Sequence, residues 1–177
     1  MRSETVEHFL ESLASRSPGP GGRAGAALHA AQGAALVARA ARDGEATVAA
    51  EHADALARMR DRADGLRAAA LRLAAEESGR SAPGDFSVQV IGLAERVLGL
   101  VEALRPLAHR TAAVALAAAA EAVRAAAGTA RVDVEVDLVG VSEPAERERL
   151  LTAIEPVDDL VLRAAKITAF VREHILR

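Results

Sequence analysis

The chain has no cysteine, no tryptophan and no tyrosine, and Phe9, Phe86 and Phe170 are its whole aromatic content. Without thiols there is no disulfide framework and no thiolate chemistry, which suits a reducing compartment. The scarcity of rings removes the stacking platforms on which single-stranded nucleic acids are held. Excess positive charge is missing too: 22 basic residues against 25 acidic ones leave a net charge of −3. The arginines are interleaved with acids, so no electrostatic footprint for nucleic acid is present. The opening MRSETVEHF is polar and unlike a secretory signal. The longest uncharged stretch, around RTAAVALAAAAEA, reads as too short and too interrupted to span a bilayer. The expectation is a soluble, cytoplasmic protein with neither nucleic acid nor membrane as a partner.

What the chain does have is aliphatic bulk. Hydrophobic residues make up 51% of it, so the core must be filled by Ala, Leu, Val and Ile, the composition of packed helices. A chain of 177 residues fits one domain, here residues 1–177, and at that size roughly 70% of the unfolded surface is buried on folding.

Helical spacing organises most of the sequence. Val6, Phe9, Leu10 and Leu13 mark a short amphipathic helix over residues 4–14, with Ser3 as its N-cap. The stretch Ser17 to Gly22, with two prolines and two adjacent glycines, must be non-helical. From Arg23 to about Arg42 the next helix is lined with small residues: Gly22, Ala26, Ala30 and Ala34 on one row, and Gly25 and Gly33 beside His29 on another. Such rows let a second helix approach closely. Gly44 reads as its stop.

Leu56, Met59, Ala63, Leu66, Ala70 and Leu73 form a coiled-coil-like seam between Thr47 and Ser78, which ESGRSAPGDFS terminates. Val90, Leu93, Val97, Val101 and Leu104 mark a further helix that Pro106 ends or kinks. The Ala-rich segment 110–127 follows, with Gly128 as the expected stop. In residues 131–138, Val132, Val134, Val136 and Leu138 alternate with Asp133, Glu135 and Asp137. Alone this is a strand pattern, yet nothing else in the chain looks like its pairing partner. It is an extended connector, a strand pairing across a dimer, or a helix overriding its own propensity. Ser142, Glu143 and Pro144 start a helix, and Val157, Leu160, Ala164, Ile167, Val171 and Ile175 carry the last one. The fold expected is all-α, a single bundle of about six helices with the segment 131–138 left open.

Among candidate sites, only the Pro/Gly stretch looks shaped for more than packing. The backbone N–H groups of Gly21, Gly22 and Arg23 sit where a helix N-terminus concentrates positive charge, and the Arg23 guanidinium adds a forked donor, a combination suited to a carboxylate or phosphate. A tight turn that merely lets two helices meet accounts for the same residues. The spacing fits neither GxxxxGK nor GxGxxG. The histidines at 8, 29, 52, 109 and 174 lack metal-ligand spacing, so no metal is expected. His29, between two glycines and beside Gln32, is either a groove-facing ligand contact or a hydrogen-bonded core residue. Glu76, Glu77, Asp85 and Glu121 are acid–base candidates only if buried. The acids 133, 135 and 137 share one face only in a strand, where they either bind a cation or form a solvated face.

Residues 9–36, FLESLASRSPGPGGRAGAALHAAQGAAL, resemble the opening of the cyclodeaminase/cyclohydrolase family: a short helix, an SP.PGGGS loop and an Ala/Gly-rich helix. A weaker likeness runs from Gly92 to Val141. The resemblance implies an all-helical homodimer that binds a reduced folate and either closes formiminotetrahydrofolate with loss of ammonia or hydrolyses the methenyl form. It implies no cofactor besides that tetrahydrofolate substrate. It places ligand contacts at Ser17, Pro18, Pro20, Gly21 and Gly22, to which the chain's own chemistry adds Arg23 and His29.

Arg23 stands where the family has its third glycine, Ala24 where it has serine, and TAAV at 111–114 where it has a Ser-Asp pair. Asp137 takes the place of the family's asparagine. No catalytic residue is therefore carried over. Two readings follow: a divergent folate one-carbon enzyme of cyclodeaminase or cyclohydrolase type with its activity kept, altered or lost, or a non-catalytic helical dimer acting as an interaction scaffold.

Overall fold

The computed structural model describes residues 5–15, 21–45, 50–76, 82 and 84–175. These form seven α-helices, α1 (Val6–Ala14), α2 (Gly22–Glu45), α3 (Ala50–Glu76), α4 (Asp85–Leu104), α5 (Arg110–Asp137), α6 (Pro144–Ile154) and α7 (Val157–Ile175), and a 3-10 turn, Arg105–Leu107. No strand occurs among the described residues. The all-α expectation holds, with one helix more than the six anticipated.

Helices α2 and α5 form the centre: α2 packs on α3, α4 and α5, and α5 also packs on α7. Half of the buried apolar residues are alanines, so the helix axes must come close for so little side chain to fill the space between them. The row Ala26, Ala30 and Ala34 is buried as its spacing suggests. Gly33 marks the tightest crossing: a Cβ there would stand 3.3 Å from both the Ala119 carbonyl oxygen and Val123 Cγ2, and 3.5 Å from Val97 Cγ1. Three helices, α2, α4 and α5, therefore meet at one hydrogen atom. In the α3 seam, Leu56, Ala63, Ala70 and Leu73 are buried, while Met59 and Leu66 pack partly buried against the core.

Several boundaries differ from the reading of the residues. Thr5, not Ser3, caps α1, its hydroxyl accepting from the His8 N–H at 3.1 Å. Gly44 does not end α2; it is buried within the helix, where a Cβ would stand 3.2 Å from Leu56 Cδ1. Its role is to admit a leucine from α3. Nor does Gly128 stop α5, which continues to Asp137. A helical glycine costs about 1 kcal/mol, less than the packing of the buried alanines 126, 127 and 130 around it supplies.

Residues 131–137 are thus helical, the third of the alternatives. Val134 is fully buried, whereas Val132 and Val136 are 59% and 64% exposed, so the alternation of valines does not follow one buried face. With no neighbouring strand to take up its backbone groups, the segment keeps intrahelical hydrogen bonds despite its β-branched residues. Pro106 acts as expected, with α4 ending at Leu104 and giving way to the 3-10 turn. Glu143 caps α6 and Pro144 occupies its first turn.

By length and composition α5 could cross a membrane, a point the uncharged stretch alone understates, but 44% of its apolar window is buried inside the bundle. That burial is what a central core helix requires.

Arg163 ties α7 to α4, donating from Nε and Nη2 to Glu102 at 2.9 and 2.7 Å and from Nη1 to Glu95 at 2.8 Å. These bonds, outweighing partial burial, hold the Glu102 carboxyl below its ordinary 4.5. A carboxyl with a depressed folded pKa stabilises the fold above its unfolded pKa, and that contribution disappears as pH falls through the folded value. Replacing Glu102 by Gln should therefore flatten the loss of stability below about pH 4.5, at a cost of up to about 1 kcal/mol at neutral pH because the pair is partly exposed; urea titrations across pH check both. Gly33→Leu should lower unfolding free energy by about 1–3 kcal/mol through overpacking, read by the same titration.

Candidate functional site

The start of α2, the start of α4 and the end of α5 converge on Arg23. Its Nε donates to Asp133 Oδ1 at 2.9 Å, and its Nη2 donates to both Asp137 oxygens at 3.0 Å. Asp133 and Asp137 are four residues apart on α5, which puts both carboxylates on one face and matches the guanidinium fork. Two further donors complete the cluster. The Gly84 N–H reaches Asp137 Oδ2 at 2.7 Å, and the Ser87 hydroxyl donates to Asp133 Oδ2.

Each partner is held by a local reason. Gly84 caps α4 in the left-handed region, φ 75°, with Leu150 packed so close that a Cβ would lie 2.4 Å from its Cδ2. Only glycine aims this N–H at Asp137 without strain. Ser87, on the first turn of α4, is 1% exposed and is the one buried polar residue among those described; its hydroxyl is satisfied by Asp133.

The electrostatics are those of a closed lock. Two carboxylates face one guanidinium, and the positive end of α4 offsets the remaining negative charge. The hydrogen bond to Asp133 is the chief cause that raises the Arg23 pKa, with burial opposing it. The side chains are 36%, 24% and 18% exposed for Arg23, Asp133 and Asp137, so water still screens the pairs in part. Chemically the arrangement neutralises Arg23 and leaves it little capacity for an external anion.

The sequence-predicted residues are not all brought together. Ser17, Pro18 and Pro20 lie outside the described residues. Gly22 opens α2 and is exposed; Gly21 precedes it, its carbonyl accepting from the Gly25 N–H at 3.3 Å. His29 is exposed on α2, with partial burial holding its pKa below the ordinary value. Six residues after Arg23, it stands about 9 Å along the axis and about 120° around it, so it does not converge on the guanidinium.

The acids of 131–138 do bind a cation, but it is Arg23 of the same chain, and only Asp133 and Asp137 take part. Glu135 accepts from Arg131 at 2.8 Å instead. No group of three or more metal-binding side chains occurs among the described residues. Ser87 and Gly84 were missed by sequence reasoning; neither has a signal without knowing that α4 begins against α5.

A family model described as formiminotransferase-cyclodeaminase matches residues 5–80. Among solved structures, the chain is similar to formiminotetrahydrofolate cyclodeaminase from Thermotoga maritima, with a TM-score of 0.87 at 17% identity over 99% of each chain. The resemblance to the cyclodeaminase/cyclohydrolase family holds. The matched segment, somewhat less than half of the chain, carries α1, α2, α3 and the Pro/Gly stretch. No curated protein matches the chain.

Arg23→Gln and Asp137→Asn should each lower unfolding free energy by about 1–2 kcal/mol, and the double variant should lose less than their sum, with a coupling of about 0.5–1.5 kcal/mol. Chemical denaturation of the four proteins measures this cycle.

Proposed function

We propose that this protein is a divergent folate one-carbon protein of the formiminotetrahydrofolate cyclodeaminase or methenyltetrahydrofolate cyclohydrolase type, acting as a homodimer, with its chemistry altered from that of the family. The observation that carries the reading is the coincidence of the family match over residues 5–80 with the shared fold along the whole chain. The altered chemistry rests on the lock. Arg23 stands at a family glycine and is engaged by Asp133 and Asp137, so the guanidinium is not free to receive the glutamate tail of a folate. Handling a cationic amidine-like carbon needs a carboxylate and a proton carrier, and both aspartates of the lock are already committed. A ligand seated here is therefore held by the glycine-rich backbone of 21–22 rather than by a free arginine.

Dimer formation is supported by α1. Val6, Leu10 and Leu13 are 76%, 54% and 39% exposed, and no residue of α1 is buried in the single chain. An amphipathic helix with an uncovered apolar face suits an intersubunit contact.

The lock equally favours a second reading, a non-catalytic scaffold that kept the fold while filling the ligand position with Arg23. Titration with a methenyl- or formimino-tetrahydrofolate separates the two. A saturating ligand at 100 times its dissociation constant should add about 2.7 kcal/mol to stability, with turnover followed by absorbance. No stabilisation at high micromolar ligand would overturn the enzyme reading and leave the scaffold.

A further inference from the structure

Helix α5 is apolar on two sides. One side buries Leu116, Val123 and Ala130 in the core. The other, about half a turn around the helix, carries Val114, Ala118, Ala125, Thr129, Val132 and Val136 within an arc of about 100°. Val114, Val132 and Val136 are 50%, 59% and 64% exposed, and Ala118 and Thr129 are exposed with them. Between Val114 and Val136 this arc holds one charged residue, Glu121. Its carboxylate is already engaged, accepting from Arg124 and from the Thr168 hydroxyl of α7 at 2.8 Å each.

A solvated helix face in this chain has a different make-up. On α3 the exposed side is built of Asp54, Arg58, Asp61 and Arg62. A helix that is apolar all round is a buried helix, yet its own chain buries only 44% of the apolar window of α5. From Val114 to Val136 the uncovered stripe is about 33 Å long and about 10 Å wide, so it offers about 330 Å² per copy. A standard interface takes about 800 Å² from each partner. The stripe supplies less than half of that, and the exposed apolar face of α1 is there to supply more.

We propose that a second copy of the same helix covers this stripe, the two α5 helices packing antiparallel across a two-fold axis at Ala125. The stripe is self-complementary about that residue. In this register Val114 meets Val136 of the second copy, Ala118 meets Val132, and Glu121 gains the Thr129 hydroxyl as a donor; the two-fold generates each contact twice. Alanine at the axis allows the backbones their closest approach, and valines fill the widening gap toward both ends. Antiparallel packing also sets the positive N-terminal end of one α5 beside the negative C-terminal turns of the other, where Glu135 is exposed. A lipid surface would gain nothing from this pairing of positions and would have to accept Glu121 at mid-stripe. The inference rests on the homodimer reading above and names the face through which the copies meet.

Because the chain has no cysteine, a single introduced one reports the register. Under mild oxidation of the full chain Ala125→Cys should cross-link to a dimer, since a disulfide needs Cα atoms about 4.4–6.8 Å apart. Val136→Cys, which this register holds about 33 Å from its own counterpart by helix rise, should not. Sedimentation equilibrium should show a dimer whose Kd rises at least about tenfold in Val132→Glu, where an unpaired carboxylate is buried against Ala118 of the second copy, with far-ultraviolet circular dichroism unchanged. Leu10→Glu on α1 separates the two contacts. A chain that stays monomeric to about 0.1 mM overturns this inference together with the homodimer reading. A dimer that Leu10→Glu breaks but Val132→Glu does not, with no cross-link through Ala125→Cys, overturns this inference alone. Uptake of a monomeric chain onto phosphatidylcholine vesicles overturns it in favour of a membrane. Should Val132→Glu disturb the fold, the comparison of Ala125→Cys with Val136→Cys decides.

Discussion

Close approach of helix backbones is the constraint on which the rest of the molecule depends. A core in which half the buried apolar residues are alanines holds together only if α2 can lie against α5 and α3 at short range. Gly33 and Gly44 are where that requirement is sharpest, one facing Ala119, Val123 and Val97, the other facing Leu56. Because side chains this small leave no slack, the positions of the helix ends follow from the packing of their middles. The charged clusters at the ends of the bundle inherit their geometry from it.

The lock at Arg23 is such a consequence. With α2 antiparallel to α5, the first turn of α2 arrives beside the last turns of α5, and the first turn of α4 arrives there as well. A guanidinium, a serine hydroxyl and a glycine N–H then all reach two carboxylates four residues apart. The Pro/Gly stretch therefore leads into a residue whose bonding is satisfied within the chain. That pairing joins the first turn of α2 to the last turn of α5, since Arg23 and Asp137 each give the other its partner.

Much of the fold was legible from spacing alone. The α3 seam, the small-residue row of α2 and the proline-marked end of α4 stand as the residues suggest, because they express period 3.6 or the missing proline donor. Gly44 and Gly128 both misled because a glycine near an expected helix end resembles a stop; Gly44 serves close packing against Leu56, whereas a Cβ at Gly128 would meet open space and α5 simply runs through it. The valine–acid alternation at 131–138 carries a genuine strand signal that tertiary context overrides. At the site, Arg23 stood out as a charge in a glycine motif. Its partners were hidden because reading 133–137 as extended separates two aspartates that a helix brings to one face, and because Ser87 and Gly84 gain meaning only from long-range contact.

The 28-residue α5 is also charged against its own backbone. It opens on Arg110 with no acid in its first turn and closes on Asp133 and Asp137 with no base in its last. Each end thus opposes the helix dipole, an arrangement that costs about 0.3–1 kcal/mol per charge near an exposed terminus. Such a rod is frustrated in isolation and relieved by company. Its acidic end is answered by Arg23 and the start of α4, so α5 in this protein is a helix whose electrostatics are completed by its neighbours.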